Sequence, residues 1–164
     1  MGRKATKASD NIFYQARVEA MKKIPEFSSR EKASDLIGID RTRLARIELA
    51  EVIPYQEEVK ILAQAYDKPE LCNQYCSMIC PLGSVTTRKV QVRNLDRLIL
   101  NTLGALNDIS ELKDSLIDIS DDGQIDDSER EEFRQILSTL SEISEAAQSL
   151  EIWAKKYLDG WEDS

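Results

Sequence analysis

The sequence predicts an all-α protein, in which a five-helix domain is followed by a long antiparallel helical hairpin. Apolar residues recur at spacings of three and four along most of the chain, and no sustained alternation or β-rich run interrupts them. Residues that cap and end helices stand between these periodic stretches. Hydrophobic residues make up 41% of the 164, which is enough for a packed core.

The first, fourth and fifth helices are located by proline and by one acidic cap. We expect the first helix over about residues 11–23, with Asp10 as its N-cap. Pro25 ends this helix because the residue before a proline avoids helical geometry. Pro54 and Pro69 each stand where a first helical residue is expected, so they predict the starts of the fourth and fifth helices.

The second and third helices are short and closely spaced. Ser29 is an N-cap candidate for a helix over 30–37, which Gly38 ends because glycine adopts positive φ readily. Asp40 then caps a third helix over about 41–50. Two short helices joined by so tight a turn are typical of a helix-turn-helix.

Two long amphipathic helices are predicted in the rest of the chain, over roughly 87–119 and 127–158. Their apolar residues fall on one stripe per helix, and a short turn between them favours an antiparallel hairpin. Two helices alone bury little surface. The stripe is therefore expected to pack against the N-terminal domain or against the same hairpin of a second chain.

The charge divides the chain into modules. Residues 1–94 hold 16 Lys/Arg and 12 Asp/Glu, whereas residues 95–164 hold 6 and 18. We predict a basic flexible arm over 1–10, a helix-turn-helix domain over 11–83 and an acidic hairpin over 84–164 for dimerisation or an effector role. The alternative for the hairpin is that its carboxylates only solvate the outer helix faces.

Several functional classes are disfavoured by what the sequence lacks. It has no histidine, which removes Ser-His-Asp and Cys-His nucleophiles and histidine-containing zinc sites. It also has no glycine-rich phosphate loop, so we expect no enzyme activity and no cofactor. A polar start without an apolar signal segment, and no apolar run of membrane length, predict a cytoplasmic protein without membrane contact.

The segment from Ser29 to Glu48 carries the most specific signal. Small residues at Ala33 and Ser34 allow two helices to cross closely, and Gly38 makes the turn between them. Arginines and a threonine fall on the remaining faces of the third helix. Such a helix can enter the DNA major groove, where arginine binds guanine bidentately and also pairs with phosphate.

These residues resemble the lambda-repressor-like (Cro/repressor, XRE) family of DNA-binding domains over about residues 11–80. The resemblance lies in Ala33, the Leu36-Ile37-Gly38-Ile39 turn, the Leu44 to Glu48 end of the third helix, and Leu62, Ala63 and Ala65 in the helix after Pro54. It implies a five-helix bundle in which the following residues face DNA: Ser29, Arg30, Arg41, Thr42, Arg43 and Arg46. Ser34 replaces the family's usual alanine, and the loop over 49–53 lacks its usual glycine or asparagine.

Two functions follow from these features. The first is a sequence-specific transcriptional regulator that binds double-stranded DNA as a homodimer and acts by occupying an operator. The second is a protein-interaction adaptor, in which the acidic hairpin binds a protein partner, under calcium control in one version, and the helix-turn-helix is a scaffold.

The acidic turn of the hairpin resembles the twelve-residue EF-hand calcium loop. Gly123 stands at the sharp turn, and Ile125 is the apolar residue between ligands. The candidate calcium ligands are Asp118, Ser120, Asp122, Gln124, Asp126 and Glu129. The alternative needs no metal: Gly123 ends one helix, and Asp126 with Glu129 caps the next.

Three cysteines, Cys72, Cys76 and Cys80, are spaced by four residues and therefore share one helix face. A row of thiols is compatible with a metal or redox site. A structural zinc site, however, needs four ligands. The alternative is that these are reduced thiols that fill space in the core.

Overall fold

The computed structural model describes residues 8–92, 94–107, 109–119, 125–127 and 129–158. These residues form helices and connecting segments without any β-strand, which confirms the all-α class. The chain divides into two compact units. Unit 1 comprises residues 1–89 with 155–164, and unit 2 comprises residues 90–154.

Unit 1 contains short helices in close succession. They are α1 (Ile12–Ala20), a 3₁₀ helix (Pro25–Ser28), α2 (Arg30–Ile37), α3 (Arg41–Glu48), α4 (Gln56–Ala65), α5 (Glu70–Met78) and α6 (Gly83–Thr86). Unit 2 contains α7 (Leu95–Asn107), α8 (Ile109–Ile119) and most of α9 (Arg130–Tyr157). Of the predicted N-terminal arm, residues 1–7 lie outside the described residues, and residues 8–10 form a turn in which Ala8 is buried.

The predicted caps of α2 and α3 are confirmed. The Ser29 hydroxyl accepts a hydrogen bond from the Lys32 amide at 3.2 Å, and Gly38 ends α2 in the left-handed region with φ of 77°. Asp40 Oδ1 accepts from the amides of Thr42 and Arg43 at 2.9 and 3.0 Å. These local bonds fix where both helices start, because they satisfy amides that have no partner inside the helix.

Three predicted helix starts are wrong by one or two residues. Asn11, not Asp10, caps α1, since its side chain accepts from the amides of the second and third helical residues. Pro54 is buried ahead of α4, and Tyr55 is the N-cap. The Tyr55 amide donates to Glu58 Oε2 at 2.7 Å. Pro69 likewise occupies the N-cap of α5 rather than its first turn.

The predicted long helix over 87–119 is also wrong at its start, because α7 begins at Leu95. The preceding stretch contains Thr87, Val90 and Val92, whose β-branched side chains disfavour helix. It is non-helical, and Val90 is buried in it. Gly83 begins α6 instead of closing the domain, and a Cβ at this position would overlap the backbone of Cys76.

A single core holds unit 1 together. Phe27 and Tyr66 meet edge to face at its centre, with ring centroids 5.1 Å apart. Leu44 and Ile47 of α3 are almost fully buried in this core. The packing therefore fixes which face of α3 points outward.

In unit 2, α7 and α8 line grooves together with α9. Residues 98–105 of α7 share one groove with residues 142–149, and residues 111–115 of α8 share another with residues 132–139. The chain through α7 and α8 therefore runs antiparallel to α9. The turn residues 120–124 lie outside the described residues, so the hairpin connection stays a prediction.

Candidate nucleic-acid interface

The outward face of α3 carries Arg41, Thr42 and Arg46, all of them exposed. The opposite face carries Leu44, Ile47 and Glu48, all of them buried. At about 100° per residue, positions 41, 42, 45 and 46 fall on one side of the helix. Burial of the apolar stripe therefore presents these side chains to solvent together.

A surface groove of about 740 Å³ brings together four of the six residues predicted to face DNA: Ser29, Arg30, Arg41 and Thr42. Arg46 lies on the same outward face of α3. The groove lies at the N-terminus of α2, where backbone amides favour an anion such as phosphate. Lys32, Arg41 and Arg46 have no ion-pair partner among the described residues, so their charges are available to a ligand.

Arg43 points elsewhere, toward α4. Its Nε and Nη2 atoms donate to the two carboxylate oxygens of Glu58, each at 2.8 Å, and its guanidinium lies 4.7 Å from the centre of the Tyr55 ring. The hydrogen bond from Arg43 is the main cause that lowers the pKa of Glu58. One hydrogen-bonding edge and one face of the Arg43 guanidinium are thus already engaged within the chain.

Arg30 belongs to a second ion-pair cluster, around a carboxylate that is fully buried. Glu48 Oε2 accepts from Arg30 Nε at 2.7 Å, and Glu48 Oε1 accepts from Arg17 Nε at 2.5 Å. Arg17 also donates to the Phe27 carbonyl at 2.8 Å. Burial by itself lowers the pKa of Arg17, but the Glu48 hydrogen bond and charge outweigh burial and leave that pKa raised. The cluster ties α1, the 3₁₀ helix and α2 to the end of α3.

The sequence analysis does not predict the roles of Glu48, Arg17 and Glu58. The signal for the first two was a charged residue on an apolar stripe: Glu48 follows Leu44 by four residues, and Arg17 follows Phe13 by four. A charge in that position is stable only if it is paired. Glu58 carries no comparable signal, because its partner lies 15 residues earlier on another helix.

The candidate calcium loop is only partly described. Ser120, Asp122 and Gln124 lie outside the described residues, as does the side chain of Asp118. Asp126 and Glu129 form reciprocal bonds at 3.0 Å, in which each amide donates to the other residue's carboxylate. This is the capping pair of the metal-free alternative. Within the described residues, no cluster of three or more His, Cys, Asp or Glu side chains could hold a metal ion.

The three cysteines of α5 and its C-terminal end are half-buried and pack against the core of unit 1. Burial raises the pKa of Cys72 and of Cys76, so these thiols stay protonated at neutral pH. The Gly83 amide donates to Cys80 Sγ at 3.4 Å. These contacts agree with thiols that fill space.

Comparison of the chain with family models, curated proteins and solved structures returned no match. In the part of the chain that the structure describes, no helix combines the length and apolarity needed to cross a membrane.

Proposed function

We propose that this protein is a sequence-specific DNA-binding transcriptional regulator, which acts in the cytoplasm by occupying an operator as a dimer. The observation that carries the proposal is the outward face of α3. There Arg41, Thr42 and Arg46 are exposed together, next to the N-terminus of α2. In this proposal unit 1 is a lambda-repressor-like bundle, and the helices of unit 2 form a hairpin.

Each of these residues has a role that suits its chemistry. Arg41 and Arg46 present guanidinium groups that bind guanine O6 and N7 in the major groove or a phosphate oxygen. Thr42 supplies a hydroxyl and a methyl group for base edges. Ser29 and Arg30, with the first amides of α2, position the backbone phosphates without base specificity.

Arg43 is a positioning residue in this account, because its guanidinium is bound by Glu58 and covered by Tyr55. The clamp joins the first turn of α3 to the first turn of α4. It therefore sets the angle at which α3 is presented to the groove. The contacts to the DNA bases are therefore made by the residues of α3 that point outward.

A dimer is required because one unit offers few phosphate contacts. Each neutralised phosphate contributes through release of counterions, so a small contact number gives weak binding at physiological salt. Two copies that bind half-sites one helical turn apart double that number and make the operator palindromic.

The proposal is tested by selecting random duplex DNA on the full chain at near-physiological salt. We expect a palindromic motif to be enriched, and we expect an Arg41→Ala/Arg46→Ala variant to lose it. The matched control is Lys22→Ala/Lys89→Ala, which removes the same charge from exposed lysines elsewhere in unit 1 and should keep the motif.

Two results would refute the proposal. One is retention of duplex DNA that falls with salt but shows no sequence preference, since that reports only phosphate contacts. The other is equal loss of the motif in the Lys22→Ala/Lys89→Ala control, since that would assign binding to net charge rather than to α3.

A further inference from the structure

The described part of unit 2 buries few large side chains for its length. Its buried hydrophobic residues are Val90, Leu98, Ile119 and Ile136. Many equally large residues of the same helices are exposed, among them Leu103 at 59% and Leu137 at 49%. Helices with so small a core need another surface to cover them.

Of the exposed aliphatic residues of α7 and α9, all but Leu100 lie on one face. Relative to the buried Leu98, the residues Ile99, Leu103 and Leu106 fall at about 80–140° to one side of α7. Relative to the buried Ile136, the residues Leu137 and Leu140 fall at about 40–100° to the corresponding side of α9. Because α7 and α9 pass in opposite directions, these two sides point the same way. We call these five residues the aliphatic face.

The opposite face of unit 2 carries carboxylates and amides together with the exposed Leu100. The residues that line its two grooves include Asn101, Gln135 and the carboxylates Glu111, Glu142 and Glu145. By the same rotation, Asn101 lies about 60° and Gln135 about 100° on the other side of the buried stripe. The two faces therefore differ in both polarity and charge.

The aliphatic face is free of charge within a strongly charged unit. Residues 90–154 hold 15 Asp/Glu and 5 Lys/Arg, a net charge of −10. Yet residues 98–107 of α7 and 135–141 of α9 contain no charged residue. A basic partner would be drawn to the carboxylate-lined grooves. A second copy, itself acidic, can approach without charge repulsion only where charge is absent.

The face is also self-complementary. The grooves set Leu103 and Leu106 of α7 at about the level of Ser141 and Ser144 of α9. Large side chains on one helix thus lie beside small side chains on the other. In a two-fold dimer each copy places its leucines over the serines of its partner, which is the isologous contact that symmetry requires.

We propose that a second copy of this chain covers the aliphatic face, so that two units 2 pack against each other through Ile99, Leu103, Leu106, Leu137 and Leu140. This dimer rests on the proposed function, because it supplies the two-fold symmetry that a palindromic operator demands.

The test is the molar mass of the full chain without DNA, measured by sedimentation equilibrium in the micromolar range. We expect a dimer, and we expect a Leu103→Glu/Leu140→Glu variant to be monomeric with unchanged helical circular dichroism. The matched control is Asn101→Glu/Gln135→Glu, which adds the same charge to the polar face and should remain a dimer.

A monomeric wild-type chain would overturn the inference, because the occupant of the aliphatic face would then not be a second copy of this chain. A dimer that survives Leu103→Glu/Leu140→Glu would overturn it as well. If the variant loses helical signal, Leu103→Ala/Leu140→Ala is measured instead, and it should raise the dimer dissociation constant at least tenfold. The Arg41→Ala/Arg46→Ala variant should stay dimeric, which separates failure of this inference from failure of DNA binding.

Discussion

At the scale of single residues, the account depends most on Glu48. Its carboxylate is fully buried at the end of α3, and two arginines from α1 and α2 hold it. A buried charge without a partner costs several kcal/mol, whereas a paired one is tolerated. The ion pairs of Glu48 with Arg17 and Arg30 therefore hold the end of α3 in place.

We predict that Glu48→Gln lowers the free energy of unfolding by about 3–5 kcal/mol, because it leaves Arg17 buried without a counter-charge. Urea denaturation followed by circular dichroism measures this change. Glu26→Gln, at an exposed carboxylate, should change stability by less than about 0.5 kcal/mol. Replacing both partners, as Arg17→Met/Glu48→Met, should recover most of the loss. If the single variant proves harmless, the buried pair does not organise unit 1.

Glu58 gives a second prediction at this scale, and it concerns pH. Its folded pKa is lowered, chiefly by the Arg43 hydrogen bond, below the unfolded value of 4.5. The stabilisation is thus present above about pH 4.5 and is lost as pH falls through the folded pKa. Urea midpoints should fall more steeply between pH 6 and 3 for the wild type than for Glu58→Gln, and should converge at low pH. Parallel curves would show that the clamp is absent in solution.

At the scale of elements, the turn after α3 carries backbone strain. Ala50 adopts φ of 55°, in the left-handed region that costs a residue with a Cβ roughly 1–2 kcal/mol. This residue lies in the loop where the sequence lacks the glycine or asparagine usual in the resembled family. The strained Ala50 thus lies in the same loop that lacks a glycine or asparagine.

We predict that Ala50→Gly stabilises the protein by about 0.5–1 kcal/mol, because relief of strain outweighs the added freedom of the unfolded chain. Thermal unfolding by calorimetry measures the change. Ala45→Gly provides the control of opposite sign: it lies inside α3 and should destabilise by about 1 kcal/mol. A loss of stability in Ala50→Gly would show that the turn does not have this conformation.

The elements also show what the sequence could and could not predict. The bounds of α2 were predictable because Ser29 and Gly38 act on neighbouring amides and carbonyls. The start of α7 was not, since the amphipathic pattern continues through residues 87–94, while β-branched residues keep residues 87–92 non-helical. At the candidate site, exposure of Arg41 and Arg46 followed from helical periodicity. The turn of Arg43 toward Glu58 depends on how α3 and α4 pack, which local pattern does not encode.

At the scale of the whole molecule, we propose that unit 1 recognises DNA and that unit 2 dimerises. The charge supports this division, because the outward face of α3 carries Arg41 and Arg46, whereas unit 2 has a net charge of −10. An acidic unit repels DNA, so we propose that DNA contacts belong to unit 1. The proposed operator binding then depends on both units.

The most direct test of the central claim is a ¹H–¹⁵N correlation spectrum of the full chain, titrated with the selected duplex at physiological salt. We predict that the largest amide shifts occur at Ser29, Arg30 and residues 41–46, and that residues 98–107 do not move. Shifts confined to unit 2, or none at millimolar DNA, would contradict the assignment of α3 as the recognition helix.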